Sequence, residues 1–197
     1  MTDRSRIGKS NVRKGKTLER RVAKLFTEFT GVEFRRRRVE GRDASVIERE
    51  STADVIPVKD EILFSIEVKS GQFGSLDAIL ANPTNTIFTK WWHQACYDAQ
   101  LMTELFKIDY FPLLFFKANR NADWVALSER SLSHIKSAGE VPYFDFPFYK
   151  GCGPITHNVS HTDRKANEVL LSLQLDAIRF LRWQDFIKSV DPKSIFR

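Results

Sequence analysis

Two polar residues in a short alternating segment could act on a phosphodiester. Over residues 62–69 every even-numbered residue is apolar, and the polar residues all fall at odd-numbered positions. This alternation predicts a β-strand. Glu67 and Lys69 would share one face of it, about 6.7 Å apart. An ammonium beside a carboxylate and a metal can orient water, or bind a phosphate and stabilise its developing negative charge. Hydrolysis of a phosphodiester needs this chemistry.

A second carboxylate can be placed beside this pair by folding the preceding strand back as a hairpin. With residues 60–61 as a two-residue loop, Lys59 pairs with Ile62 and Asp54 lies opposite Glu67. Opposed residues have Cβ atoms about 4.5–5.5 Å apart. Two carboxylates so placed repel each other, and a divalent cation held by oxygen ligands would relieve the repulsion. A slip of one residue would instead put them on opposite faces.

A third carboxylate comes from a predicted helix over residues 16–30, which Gly31 ends. The apolar side chains of this helix have the spacing of one buried face: Leu18, Val22, Leu25 and Phe29. Glu19 lies at the edge of that face, so the helix could aim it at the same point of the sheet. Alone, such residues are also typical of exposed ion pairs, and it is their combination that favours a catalytic site.

The remaining pattern predicts one α/β domain with a mixed sheet and helices packed on it. The apolar run over residues 111–116 is typical of a strand buried on both faces. The other predicted strands are residues 32–39, 53–58, 124–127 and 170–183. The other predicted helices are residues 87–106, 128–137 and 184–190.

Positive charge is concentrated at the start of the chain. Residues 1–42 hold 14 Lys and Arg against 5 Asp and Glu, a net charge of +9, whereas the whole chain has +6. Such an excess indicates a polyanionic partner, with nucleic acid as the first candidate and a solvated face as the alternative. Candidates for a DNA-ordered basic arm, or for a solubilising tail, are Lys9, Arg13, Lys14 and Lys16.

Four consecutive arginines extend the basic segment: Arg35, Arg36, Arg37 and Arg38. In a strand, alternate members face opposite ways, so one pair could follow phosphates beside the candidate site. The alternative is an edge strand charged to prevent pairing with other chains.

The composition excludes several classes of protein. With 42% hydrophobic residues and 2 cysteines, the chain can bury a core and is not a disulfide scaffold. No apolar run is long enough for a membrane span, and the basic N-terminus lacks the apolar stretch of a secretory signal. We therefore expect a cytoplasmic protein. Cys152, His157 and His161 are suggestive of zinc, but their irregular context favours ordinary loop residues.

Three short motifs resemble the PD-(D/E)XK nuclease superfamily, and in particular the archaeal- and phage-type Holliday-junction resolvases. The motifs are Gly15-Lys16-Thr17-Leu18-Glu19-Arg20, Ala53-Asp54-Val55-Ile56 and Ile66-Glu67-Val68-Lys69-Ser70. The resemblance implies a restriction-endonuclease-like core with the order α-β-β-β-α-β. It also implies Mg²⁺, for which Mn²⁺ can substitute, no organic cofactor, a homodimer, and paired nicks across a four-way DNA junction.

On this resemblance Glu19, Asp54 and Glu67 would be metal ligands and Lys69 the catalytic lysine. Gln94 resembles a polar residue of the helix that follows in related nucleases. DNA contacts are then expected from Lys14, Lys16, Arg20, Arg35, Arg36, Arg37, Arg38 and Gln94. Ala53 stands where the motif nominally has proline.

We expect three parts: a basic flexible arm over residues 1–14, a nuclease core over 15–137, and an extension over 138–197 packed on the same domain. By analogy with the fold, the host would be a prokaryotic or phage-infected cell. The function expected is that of a structure-selective DNA endonuclease in recombination or repair. The long extension leaves open a restriction- or repair-type nuclease. An inactive DNA-binding or assembly module is the rival outside the enzymes.

Overall fold

The computed structural model describes seven stretches of the chain: residues 4–37, 52–59, 61–71, 86–118, 122–135, 144–146 and 178–196. They form an α/β fold with one mixed sheet, as the sequence predicted. Cys152, His157 and His161 lie outside these stretches, as does Arg38.

The first helix, α1 (Arg4–Thr30), is longer than predicted. It ends where expected, because Gly31 has a φ of +74° that favours glycine. The predicted start at Lys16 was wrong, and residues 4–14 of the expected flexible arm are helical. The apolar stripe begins only at Leu18, so it gave no signal for the polar turns before it, although Arg and Lys are good helix formers.

Seven strands form the sheet within the described stretches, in the spatial order β1-β2-β3-β4-β5-β7-β6. Their bounds are β1 (Phe34–Arg36), β2 (Val55–Pro57), β3 (Phe64–Gly71), β4 (Phe111–Ala118), β5 (Asp123–Ser128), β6 (Phe144–Phe146) and β7 (Ile178–Arg182). β3 and β4 are parallel, and the other neighbours are antiparallel.

A long helix, α2 (Thr86–Phe106), connects the parallel pair β3 and β4, as such a connection requires. Three short helices follow in the residues that the structure describes: α3 (Glu129–Ser133), α4 (Trp183–Ser189) and a 3₁₀ turn over Pro192–Ile195. None of the helices in the described stretches is both long and apolar enough to cross a membrane.

Two apolar layers cover the sheet, one on each face. The α1 layer contains Val22, Phe26, Ile66, Val68, Phe115, Trp183 and Phe186. The α2 layer contains Phe88, Trp92, Leu114, Phe116 and Phe180. Successive strand residues point to opposite faces. Because Ile66 and Val68 belong to the α1 layer, Glu67 and Lys69 face α2.

The C-terminal segment is built into both the sheet and the core. β7 pairs with β5, and the ring of Trp183 lies 5.0 Å from that of Phe26 on α1. Phe186 is fully buried and stacks on Trp183. Residues beyond the predicted nuclease core therefore complete the layer that holds α1 in place.

Phe186→Ala should lower the free energy of unfolding by about 3–5 kcal/mol, because it removes a buried ring between α1 and α4. Chemical denaturation of the full chain measures this loss. The matched control is Ile187→Ala on the exposed side of the same helix, which should cost less than about 1 kcal/mol. Equal losses in the two variants would contradict the packing described.

Candidate active site

Asp54 and Glu67 face each other across β2 and β3. Val55 pairs with Ile66, which places Asp54 opposite Glu67 and confirms the predicted register. The Asp54 N–H donates to the Ile66 carbonyl at 2.9 Å, and the Val68 N–H donates to Asp54 Oδ2, also at 2.9 Å. Backbone hydrogen bonds to β3 therefore fix both the main chain and the carboxylate of Asp54.

The prediction that a two-residue turn sets this register is wrong. Ile62 pairs with Phe196 instead of Lys59, and the Leu63 N–H donates to the Ile195 carbonyl at 2.9 Å. Residues at the C-terminal end of the chain thus occupy the pairing position that the hairpin model gave to Lys59. Asp-Glu does not favour the positive φ angles that a two-residue hairpin loop needs, so the register is set by strand pairing and not by the turn.

Glu67 is a buried acid with a basic partner. Its side chain is 2% exposed, and Lys69 Nζ lies 2.5 Å from its Oε1. Burial, followed by the nearby Asp54 carboxylate, raises the pKa of Glu67 to about 8, although Lys69 acts in the opposite direction. The ion pair therefore offsets only part of the cost of placing this charge between two apolar layers.

Glu19 approaches Asp54 from α1. Burial and the charge of Asp54 raise the pKa of Glu19, while Arg36 and Lys16 act to lower it. Arg36 Nη1 lies 3.5 Å from Glu19 Oε2. The sequence predicted that α1 would aim Glu19 at the sheet, and the structure brings it within electrostatic reach of Asp54.

Asp98 on α2 is a fourth acid, which the sequence reasoning missed. It is 8% exposed, and burial followed by the charge of Asp54 raises its pKa to about 6. The Gln94 side chain hydrogen-bonds to the Asp98 carboxylate, and Lys69 and Arg37 lower its pKa through their charges. An acid one turn after Gln94, within the apolar stripe that contains Ala95 and Ala99, was the available signal.

Asp54 is the shared neighbour of the other three acids, since its charge raises the pKa of each. The described part of the chain contains no group of three or more His, Cys, Asp or Glu side chains with the geometry of a metal site. Two donor oxygens are instead engaged by the chain itself: Asp54 Oδ2 by the Val68 N–H, and Glu67 Oε1 by Lys69. A concentration of mutually repelling carboxylates nevertheless suits a hard divalent cation by its donor chemistry.

The predicted DNA-contacting residues are divided between two places. Lys14, Lys16 and Arg20 are exposed on α1, and Gln94 is exposed on α2. Arg35 and Arg36 line a groove beside α1. Arg37 should point away from Arg36 by strand alternation, and its charge lowers the pKa of Asp98 on α2.

The comparison with protein families gives one match. The family is described as "phage putative PDDEXK endonuclease", and the match covers residues 10–150, more than half of the chain. This span includes all four acids of the site and Lys69. Among curated proteins and among solved structures, none matches the chain significantly.

Glu67→Gln should increase the free energy of unfolding of the metal-free protein. The increase should become larger between pH 5 and pH 8, because the wild-type acid has a pKa of about 8 in the folded state and keeps its proton there. The unfolded chain loses that proton near its ordinary pKa of 4.5, so this group makes wild-type stability fall across the window. The gain should grow by roughly 3–4 kcal/mol.

Urea denaturation in EDTA at several pH values measures this difference. Glu28→Gln, which replaces an exposed acid on α1, is the matched control. A Glu67→Gln protein whose advantage shrinks as the pH rises would contradict the account.

Proposed function

Because the chain belongs to this family of phage PDDEXK endonucleases, we propose that it is a metal-dependent, structure-selective DNA endonuclease, and within that class a Holliday-junction resolvase. Family membership makes the chain a nuclease with DNA as its substrate. The metal dependence, the preference for a four-way junction and the action as a homodimer belong to the proposal. Its place of action would be the cytoplasm of a prokaryotic or phage-infected cell.

The observation that carries the proposal is the pairing of buried Glu67 with Lys69 next to Asp54. A protein gains little stability from a buried acid whose pKa is raised by a second acid. Strongly perturbed pKa values of this kind concentrate at functional sites. The carboxylates and the lysine also supply the charges that phosphodiester hydrolysis requires.

Each residue has a separate role in this proposal. Asp54 and Glu67 from the sheet and Glu19 from α1 would hold one or two Mg²⁺ ions. Such an ion supplies Lewis-acid activation of the phosphate and lowers the pKa of a bound water. Lys69 would place its ammonium against the phosphate oxygens and stabilise the charge that accumulates on them.

The reaction adds one water molecule to one ester bond. A bond forms between the water oxygen and phosphorus, one P–O ester bond breaks, and the departing oxygen takes up a proton. Asp98 is within electrostatic reach of Lys69 and is hydrogen-bonded by the Gln94 side chain, and we assign these two residues the role of orienting the ammonium and the water. A residue acting in this way is a positioning residue.

The basic residues would hold the DNA backbone. Lys14, Lys16 and Arg20 present exposed charge along α1, next to Glu19. The arginines of β1 continue this positive surface toward the acids, and Arg37 reaches Asp98. Phosphate contacts carry no sequence information, so junction preference would come from the shape of the DNA and from the geometry of the dimer.

A nicking assay with Mg²⁺ tests the proposal on a labelled four-way junction, a linear duplex and a splayed arm of the same sequence. Symmetric cuts confined to the junction are expected. They should be lost in Glu67→Ala and reduced at least about 100-fold in Lys69→Gln, which removes the stabilising charge. Lys107→Gln, a surface substitution at the far end of α2, is the control and should cut like the wild type.

Three other outcomes would change the conclusion. Cleavage of linear duplex at fixed sites would retain the nuclease and replace the resolvase with a restriction- or repair-type enzyme. Equal cleavage by wild type and Glu67→Ala would place the chemistry elsewhere. If the wild type and all variants bind DNA but cleave none of the substrates, the protein would be an inactive DNA-binding or assembly module.

A further inference from the structure

A groove of about 430 Å³ lies between α1 and β1, the strand at one end of the sheet in the described residues. We call it the edge groove. It is lined by Arg20, Ala23, Lys24, Thr27, Phe34, Arg35 and Arg36. The α1 members have spacings of three and four residues, so they form one stripe along the helix. Four of the seven lining residues are cationic.

The two walls of the edge groove are fastened to each other. The Thr27 hydroxyl donates to the Ala23 carbonyl at 3.0 Å and accepts from the Phe34 N–H at 2.9 Å. Ala23 and Phe34 are buried beneath the cations. The groove therefore has a fixed floor, and its accessible surface is mainly the basic side chains.

Two of the cations in the edge groove have a carboxylate neighbour. Lys24 Nζ lies 3.5 Å from Glu28 Oε1, and both side chains are more than half exposed, so solvent weakens this pair. Arg36 is 3.5 Å from Glu19. Arg20 and Lys24 are exposed, and the cationic lining of the groove suits an anionic occupant.

Arg36 connects the edge groove with the candidate active site, because it lines the groove and contacts Glu19. A polyanion in the groove would therefore continue directly to the acids around Asp54. The DNA backbone is such a polyanion, with phosphates repeated along one strand. An anionic membrane is disfavoured, since the apolar residues of the groove are buried and could not enter a lipid layer.

We propose that the edge groove binds the phosphates that flank the cleaved bond, with Arg20 and Lys24 on the helix wall and Arg35 and Arg36 on the strand wall. The inference rests on the proposed function, and it deepens it by giving the cleaved strand a path. The strand leaves the acids past Arg36 and runs along α1. Lys24, which the sequence analysis did not select, becomes a DNA contact.

Salt-dependent binding to a labelled duplex, measured by fluorescence anisotropy in EDTA, tests the inference without cleavage. Arg20→Gln and Lys24→Gln should each reduce the slope of log affinity against log salt by about 0.9. Each should weaken binding about eightfold at about 0.1 M salt, since one counterion-releasing contact is lost. Glutamine keeps the helix propensity of α1, and circular dichroism verifies the fold.

Lys107→Gln is the matched control, since it removes one exposed positive charge at the far end of α2 and should leave the slope unchanged. Unchanged slopes in both groove variants would overturn the inference. So would variants that bind DNA normally but lose binding to phosphatidylserine vesicles, which would assign the groove to a membrane surface.

The outcome separates this inference from the proposed function. If the wild type cleaves DNA with Mg²⁺ and the groove variants keep the wild-type slope, only the edge groove is wrong. If the slopes fall but the wild type cleaves no substrate, the groove stands as a DNA site and the nuclease proposal fails.

Discussion

The site depends on the attachment of Asp54 to the backbone of β3. One hydrogen bond fixes its main chain through Ile66, and a second fixes its carboxylate through the Val68 N–H. These bonds force Asp54 to lie opposite Glu67, where the two negative charges repel. Burial is the main cause of the raised pKa values of Glu67 and Asp98, and the charge of Asp54 in this position raises both further. A bound cation would relieve the same repulsion.

The rest of the fold makes this unfavourable arrangement tolerable. Apolar layers on both faces hold β3 rigid, and the C-terminal Trp183 and Phe186 complete the layer that supports α1. Glu19 can then approach Asp54 from a helix that is fixed by its aromatic contacts. The stability of the two layers compensates for the cost of the buried charges, which is the usual relation between a scaffold and a preorganised site.

Much of this site could be predicted from the sequence, because strand alternation and pairing register place residues with a period of two. The opposition of Asp54 and Glu67 was predicted from that period together with an assumed two-residue loop over residues 60–61, and the register was correct although the turn was not. The pairing of Ile62 with Phe196 could not be predicted, since it joins residues far apart in the chain. Asp98 was overlooked because its helix was interpreted through its apolar stripe. The early start of α1 had no apolar periodicity to reveal it.

The most direct test of the account is whether a divalent cation stabilises the protein through Asp54. Thermal unfolding would be followed as Mg²⁺ is added at a pH near 8, where Glu67 with its pKa of about 8 can release its proton to a cation. The midpoint of wild-type unfolding should rise with Mg²⁺ concentration, because a ligand that binds only the folded state stabilises it. Asp54→Asn should abolish the rise, and Asp109→Asn at the exposed end of α2 should preserve it. An equal rise in the wild type and in Asp54→Asn would contradict the central role of Asp54.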